Sequence, residues 1–190
     1  MIVFRSMTVD KYKSNYMTFQ LLYAFHQTPF GKCLIAVTDI DEDVAYLTFF
    51  DDEASALADL KVKWPLTRIS EDTENKTDAV VAKIFHPDDP QLRTVHVIMK
   101  GTEFQIKVWR SLTEIPIGTV TTYEKVAQMV DCNPKAAIAV GNAISKNYVA
   151  YIIPCHRVIA KNMRLQGTKY AWGSERKVAI LEYEKKQLLL

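Results

Sequence analysis

The stretch YIIPCHRVIA, residues 151–160, places Cys155 directly after Pro154 and directly before His156. A thiolate is a strong nucleophile, and a neighbouring imidazole can act as the base that removes the thiol proton. Cysteine is also one of the most frequently buried residues and often serves only as a small apolar side chain. The pair is therefore either a nucleophile with its base or a piece of the core, and the rest of the chain has to decide.

The two other cysteines, Cys33 and Cys132, lie far from Cys155 along the chain. This odd number without close spacing favours reduced thiols inside a cell over a disulfide framework. No apolar run approaches the roughly 18 residues of a membrane span, and the opening residues MIVFRSMTVDKYK lack the apolar stretch of a secretory signal. We expect an intracellular protein with no membrane partner, in the nucleus of a eukaryote or the cytoplasm of a bacterium or archaeon.

The formal net charge of +2 conceals an asymmetry between the two halves of the chain. Residues 1–98 contain 10 Lys/Arg and 15 Asp/Glu, a net charge of −5, whereas residues 99–190 contain 14 and 7, a net charge of +7. A basic half favours a polyanionic partner such as nucleic acid, although many solvated surfaces are also basic.

The first half, residues 1–98, has the pattern of a small antiparallel β-sheet with helices. Its motifs indicate a supporting scaffold and no chemistry. The predicted elements are a hairpin of FQLLYAFH (19–26) and KCLIAVT (32–38) around TPFG, a third strand VAYLTFF (44–50), helices over 54–64 and 76–85, loops TRISEDTENK (67–76) and HPDDP (86–90), and a strand RTVHVIM (93–99).

The second half, residues 99–190, is predicted to be mainly helical. Two of its helices are joined by the short connection DCNP, which makes them a helix-turn-helix candidate. The predicted helix starts are a capping box of Thr102 and Gln105, a second capping box of Thr121 and Glu124, and an N-cap at Asn133 with Pro134 as the first helical residue.

The last of these helices carries small residues where a base-reading helix would carry Arg, Asn or Gln. Such a helix can press its backbone closely against DNA, or it can pack inside the protein. The small residues are Ala136, Ala137, Ala139, Gly141 and Ala143.

Three stretches, NPKAAIAVGNAISKN, IPCHRVI and WGSERKVAILEYE, together resemble the O6-alkylguanine-DNA alkyltransferases. The resemblance is specific over residues 101–184 and only architectural over residues 1–98. It implies an α+β protein of two domains, with an N-terminal domain over 1–98 and a winged helix-turn-helix-like domain over 99–190. It also implies irreversible, stoichiometric transfer of an alkyl group from O6-alkylguanine, and from O4-alkylthymine, to the protein's own cysteine after base flipping.

The resemblance assigns the acceptor role to Cys155 and makes His156 the base that takes its proton, in this family through a water molecule. Glu184, seven residues after Lys177, would orient the imidazole, and Glu182 is the competing candidate. Together these residues would form a Cys–His–Glu relay whose third member is distant in sequence.

The base pocket and its surroundings also follow from the resemblance. Asn147 would tie the recognition helix to the catalytic turn, Tyr123 would contact the flipped base and the DNA backbone, and Arg157 would be structural. The backbone carbonyls of Cys155 and Val158 would accept the guanine amine. The leaving oxygen would lie against Tyr170 and Ala171, with the bulky Trp172 standing where relatives with roomier pockets carry glycine.

The chain departs from the family pattern in three places, of which Cys132, in the connection DCNP, is interpreted as a turn residue. Ile138 occupies the register of the arginine that enters the duplex in many members, so we expect a purely steric wedge. Some relatives bind zinc through two Cys and two His, but Cys33, His26, His86 and His96 are not at matching positions, and we expect no metal and no cofactor. Lys125, Lys135 and Lys146 flank the small-residue helix and are predicted to contact DNA phosphates.

The predicted partner is double-stranded DNA that bears O6-alkylguanine, bound by a monomer. The alternative function is a non-catalytic sensor of alkylated guanine that recruits other repair factors. Proteins of that kind lack the acceptor cysteine, whereas this chain has Cys155. A cysteine hydrolase would need an oxyanion hole of which the sequence gives no sign.

Overall fold

A computed structural model of the protein describes residues 1–85, 94–130, 133–161 and 169–189. The predicted loop HPDDP, together with His86 and Cys132, lies outside these ranges. The chain divides into two compact units, Met1–Thr102 and Glu103–Leu190. The sequence analysis predicted a boundary between residues 98 and 99. These two residues lie within the strand Val95–Gly101, and the first unit includes the whole of that strand.

The first unit is built on a six-stranded sheet with the order β1-β6-β4-β3-β2-β5. The predicted hairpin and third strand are confirmed, since β2, β3 and β4 form an antiparallel meander. The elements are β1 (Ile2–Thr8), α1 (Val9–Asn15), a 3₁₀ turn (Tyr16–Thr18), β2 (Leu21–Thr28), β3 (Gly31–Thr38), β4 (Val44–Phe49), α2 (Glu53–Lys63), β5 (Ile69–Glu71), α3 (Lys76–Phe85) and β6 (Val95–Gly101).

The predicted α+β class is confirmed, but the small antiparallel sheet expected for the first half is a mixed sheet, antiparallel over β2, β3 and β4 and parallel at its other pairings. β1 pairs with β6, β4 with β6 and β2 with β5, each in parallel. The prediction of a loop over 67–76 is wrong for Ile69–Glu71, because these residues pair in parallel with β2 and form an edge strand of the sheet. The two predicted helices are confirmed as α2 and α3.

The second unit is mainly helical, as predicted, with one short parallel pair of strands. Among the described residues, no helix is both long and apolar enough to cross a bilayer. The elements are α4 (Glu103–Leu112), β7 (Thr121–Thr122), α5 (Tyr123–Met129), a 3₁₀ turn (Pro134–Ala136), α6 (Ala137–Ser145), a 3₁₀ turn (Cys155–Arg157), β8 (Val158–Ile159) and α7 (Ser174–Gln187).

The helix starts differ in detail from the sequence prediction. The N-cap of α5 is Thr122, whose Oγ1 accepts the N–H of Lys125, rather than Thr121. Both threonines belong to β7, which pairs with β8. Thr122 is the N-cap because it directly precedes Tyr123, the first residue of α5. Asn133 does cap, since its Oδ1 accepts the N–H of Lys135, but it caps the 3₁₀ turn that precedes α6.

The helix-turn-helix is formed by α5 and α6, and the small residues of α6 separate into two faces. Ala143 is buried, and its carbonyl accepts the indole N–H of Trp109 at 2.9 Å. Ile138 and Ala139 face solvent instead. The helix is therefore packed inside the protein on one side and open on the other, so each of the two alternatives describes one face of it.

Candidate active site

The turn that carries Cys155 projects its thiol toward a cavity. Pro154 precedes the 3₁₀ turn, and the N–H of Cys155 donates to the carbonyl of Ile153 at 2.7 Å. Cys155 is 7% exposed and lines a cavity of about 800 Å³. This volume lies within the range of pockets that enclose small ligands. The thiol is thus sheltered from bulk solvent and yet reachable from one side.

Asn147 joins the end of α6 to this turn. Its Nδ2 donates to the carbonyl of Ile153 at 3.1 Å and to Sγ of Cys155 at 3.3 Å, while its Oδ1 accepts the N–H of Val149 at 2.9 Å. The side chain is buried and its amide is held at both ends. Asn147 therefore fixes the position of the sulfur relative to the helix.

The surroundings of Cys155 keep its thiol protonated near neutral pH. Burial raises the pKa of Cys155 to about 11, although the hydrogen bond from Asn147 and the charge of Lys177 act in the opposite direction. Only the thiolate is a good nucleophile. A group that removes the proton at the moment of reaction is therefore needed.

Lys177, which the sequence singled out only as a marker of register, is part of this site. Its Nζ donates to the carbonyl of Val158 at 2.6 Å, and its side chain is almost completely buried. Burial lowers the pKa of Lys177 to about 8, while the nearby Cys155 raises it. Only the fold could reveal this position, because a lysine on a terminal helix normally faces solvent.

His156 lies next to the thiol turn with its imidazole fully buried. Its Nε2 is 2.8 Å from Oε1 of Glu184, which is 1% exposed. Burial alone would raise the pKa of Glu184, but hydrogen bonds from His156 and Arg157 outweigh it and hold that pKa at about 2. An ionised carboxylate can only accept, so Nε2 of His156 carries the proton and Nδ1 has the lone pair.

The protonation state of His156 follows from its burial. Burial lowers the pKa of His156 below its usual range, and Glu184 opposes this shift. The imidazole is therefore neutral near pH 7. Among the described residues, its buried Nδ1 has no hydrogen-bond partner, which makes Nδ1 the ring nitrogen able to take a proton.

Glu184 is held by groups from two segments, the turn of His156 and Arg157 and the residue Gly118, whereas Glu182 is exposed on the same helix. Arg157 donates to it through Nε at 3.1 Å and Nη2 at 2.7 Å, and the N–H of Gly118 donates at 3.0 Å. Nη1 of Arg157 also donates to the carbonyl of Ile115 at 2.6 Å. Arg157 thus bridges Glu184 and the backbone near Ile115, and Glu184 is the carboxylate that contacts the imidazole.

The cavity wall contains most of the residues that the sequence assigned to the base pocket. Val158 is completely buried and is absent from that wall; its carbonyl accepts from Lys177, and its N–H donates to the carbonyl of Cys155. Lys161 and Lys169, which the sequence analysis did not select, are exposed at the cavity. The lining residues are Tyr123, Glu124, Ala137, Ile138, Gly141, Asn142, Ile144, Ser145, Asn147, Cys155, Ala160, Lys161, Lys169, Tyr170, Ala171 and Trp172.

The residues predicted to meet DNA lie on or beside the open side of α6. Ile138 is 80% exposed, which is unusual for a large apolar side chain. Ala136, Ala137 and Gly141 are half-buried, and a Cβ on Gly141 would meet the ring of Tyr123 at 3.7 Å. The lysines predicted to flank this helix are all exposed: Lys125, Lys135 and Lys146.

The described residues contain no group of three or more Cys, His, Asp or Glu side chains that could hold a metal ion. Fold and site together define a class of protein: an α+β chain of two units in which a helix-turn-helix unit carries a sheltered thiol beside a His–Glu pair.

Comparison with known proteins identifies the family. Residues 103–186 match the family model described as 6-O-methylguanine DNA methyltransferase, DNA binding domain. A methylated-DNA--protein-cysteine methyltransferase of Methanosarcina acetivorans is 32% identical over 164 residues, which cover 86% of this chain and 98% of that protein. The chain belongs to this methyltransferase family.

Two further relatives extend the comparison. The bifunctional transcriptional activator/DNA repair enzyme Ada of Escherichia coli is 30% identical over 181 residues; the match covers 94% of this chain but 49% of Ada, so the chain spans about half of that relative. The crystal structure of Mycobacterium tuberculosis OGT in complex with DNA has a TM-score of 0.64 and 29% identity, and covers 87% of this chain and 93% of that one.

Proposed function

We propose that this protein repairs DNA by transferring the alkyl group of O6-alkylguanine, and of O4-alkylthymine, to its own Cys155, once per molecule. The observation that carries this proposal is the Cys155 thiol at the wall of the cavity, beside a neutral His156 whose Nε2 is held by an ionised Glu184. The relatives named for methyl transfer from DNA to a protein cysteine, and the relative crystallised with DNA, support it.

Alkyl transfer to Cys155 needs only side chains of the protein, water and the alkylated base. The proton of the Cys155 thiol passes to Nδ1 of His156 by way of a water molecule, as the resemblance implies, and the carboxylate of Glu184 stabilises the resulting imidazolium. The sulfur attacks the alkyl carbon, so that a C–S bond forms while the C–O6 bond breaks and leaves its electron pair on the base. The guanine anion takes up one proton from water while the imidazolium of His156 releases the thiol proton to water, so that ordinary guanine and a neutral His156 remain. The thioether cannot be reversed by these groups, so each molecule acts once.

The cavity has to receive a base that has left the duplex, because a stacked guanine cannot present its O6 substituent to a sheltered sulfur. Tyr170, Ala171 and Trp172 form the part of the wall that would face the leaving oxygen and the alkyl group. The exposed lysines around α6 would hold the phosphates without reading sequence. In this mode the protein acts as a monomer on double-stranded DNA, in the compartment that holds the genome.

The experiment that tests the proposal is mass spectrometry of the protein after incubation with DNA that contains O6-methylguanine. We expect the peptide that contains Cys155 to gain the mass of one methylene group, while the peptide that contains Cys33 stays unmodified. Unmethylated DNA of the same sequence is the control. Tight binding to the methylated DNA without any mass gain would instead support the sensor function.

A separate prediction concerns Ile138 as a steric wedge. We expect Ile138→Ala to slow repair of duplex DNA by roughly tenfold, since the lost bulk no longer keeps the flipped base from returning. Reaction with free O6-methylguanine base should hardly change, because no flipping is required. Single-turnover rates on both substrates measure the two effects.

Ile138→Leu is the matched control, because it keeps an apolar side chain of the same volume, and its duplex rate should stay close to that of the unaltered protein. Equal losses on duplex and free base for Ile138→Ala would show that Ile138 supports the fold rather than base flipping.

A further inference from the structure

The imidazole of His156 lies close to two aromatic rings as well as to Glu184. The ring of Tyr151 stacks on its imidazole, with the ring centroids 5.9 Å apart and the planes inclined by 15°. Tyr170 approaches the same imidazole edge-on, at 6.4 Å and 88°. A nearly parallel phenol ring thus lies within the range of offset stacking from the imidazole, which no motif in the sequence indicated.

The backbone at Tyr151 is held in an uncommon conformation that fits this contact. Its φ is +65°, in the left-handed region that residues other than glycine adopt rarely and at a cost in free energy. Hydrogen bonds on either side fix the turn: the N–H of Ile152 donates to Ala150, and the N–H of Ile153 donates to Val149. Such conformations persist where the surrounding structure imposes them, and they concentrate at functional sites.

The charged groups around His156 do not all favour its protonation. Burial opposes the imidazolium most strongly, and the positive charges of Arg157 in its own turn and Lys177 on α7 oppose it further. Glu184 on α7 is the single negative charge among the described groups that acts in its favour. Burial and two cations therefore oppose the imidazolium that forms during the reaction, and one carboxylate favours it.

The face of an aromatic ring carries partial negative charge and attracts a cation within about 6 Å. That attraction is strongest where water is excluded, as it is around the fully buried His156. A neutral imidazole gains much less from the same contact. The stack therefore favours the charged form of His156 over the neutral form.

We propose that Tyr151 is a positioning residue whose ring holds the imidazole of His156 and favours its imidazolium form during proton transfer from Cys155. This inference rests on the proposed function, in which the thiol S–H bond breaks and its proton moves to Nδ1 of His156. The Tyr151 ring does not touch the substrate and exchanges no proton; it acts only through His156.

The test is the pH dependence of the single-turnover rate with O6-methylguanine DNA. Below the pKa of His156 the imidazole is already protonated and cannot act as base, so the rate falls on the acid side. Tyr151→Leu should lower the maximal rate about tenfold and move this acid limb about one unit to lower pH, because both effects come from the same lost stabilisation of the imidazolium. Tyr151→Phe, which keeps the ring, should leave both unchanged.

A direct measurement keeps the test independent of turnover. The NMR titration of His156 in the protein without DNA should show a lower pKa in Tyr151→Leu than in Tyr151→Phe. Replacement of Tyr151 by pentafluorophenylalanine preserves the ring but reverses its charge distribution, and it should lower the pKa as well. This second variant serves if the leucine variant does not fold.

The outcomes separate the two proposals. A slower Tyr151→Leu variant whose acid limb and His156 pKa stay in place would show a structural role alone and overturn the inference. Unaltered protein that transfers no methyl group would overturn the proposed function, whatever the titration of His156 shows.

Discussion

Replacement of Cys155 by serine is expected to abolish alkyl transfer while leaving DNA affinity essentially unchanged. A serine hydroxyl has a much higher pKa than a thiol and is a poor nucleophile unless a full acid–base machinery activates it. The exposed lysines and the open side of α6 keep their charge and shape when the sulfur is replaced, and they should still hold DNA. Transfer of a labelled methyl group and fluorescence anisotropy of labelled duplex measure the two quantities.

Cys33→Ala is the matched control for this experiment. Cys33 is completely buried in β3, and burial raises its pKa to about 12, so it has no thiolate to offer near neutral pH. The variant should retain full transfer per folded molecule. Label that remains on Cys155→Ser protein would reveal another acceptor and contradict the mechanism.

Removal of the base is expected to have the next largest effect. His156→Ala should slow transfer by roughly 10²–10⁴-fold, the usual contribution of a positioned acid–base group, because a thiol with a pKa of about 11 then has no proton acceptor. Glu184→Gln should slow transfer less, since an amide oxygen can still accept from Nε2 but carries no charge to stabilise the imidazolium. Single-turnover rates at pH 7 measure both.

Glu182→Gln is the matched control on the same helix, because this carboxylate is exposed. Its rate should equal that of the unaltered protein. A greater loss for Glu182→Gln than for Glu184→Gln would mean that the relay runs through a different carboxylate. Rescue of His156→Ala by added imidazole would strengthen the assignment of its role as a base.

The adjacency of Cys155 and His156 in the sequence suggested a nucleophile with its base, and the resemblance to the alkyltransferases favoured that interpretation over a core cysteine before the fold was known. The helix starts near Thr102 and Asn133 followed from local capping preferences, which depend on few neighbours. Local signals also predicted the meander of β2, β3 and β4, because short turns join its strands.

Features that depend on distant partners could not be predicted in this way. β5 is a strand only because β2 lies beside it, and β7 and β8, two residues each, are strands only because they pair with each other. The stacking of Tyr151 and the burial of Lys177 depend on how the turn, α7 and β8 pack together. A single sequence without its fold carries no local signal of these contacts.

The pairing of β1 with β6 bears on how the first unit is assembled. Ile2 lies opposite Val95, ninety-three positions along the chain, whereas the turns of the β2–β3–β4 meander close over a few residues. When two distant strands pair, the chain loses loop-closure entropy before any contact compensates for it. The pairing of β1 with β6 is therefore expected to form late. During synthesis, the meander can therefore fold before β6, the partner of β1, has been synthesised. Until β6 is synthesised, β1 lacks the strand with which it pairs in the described sheet.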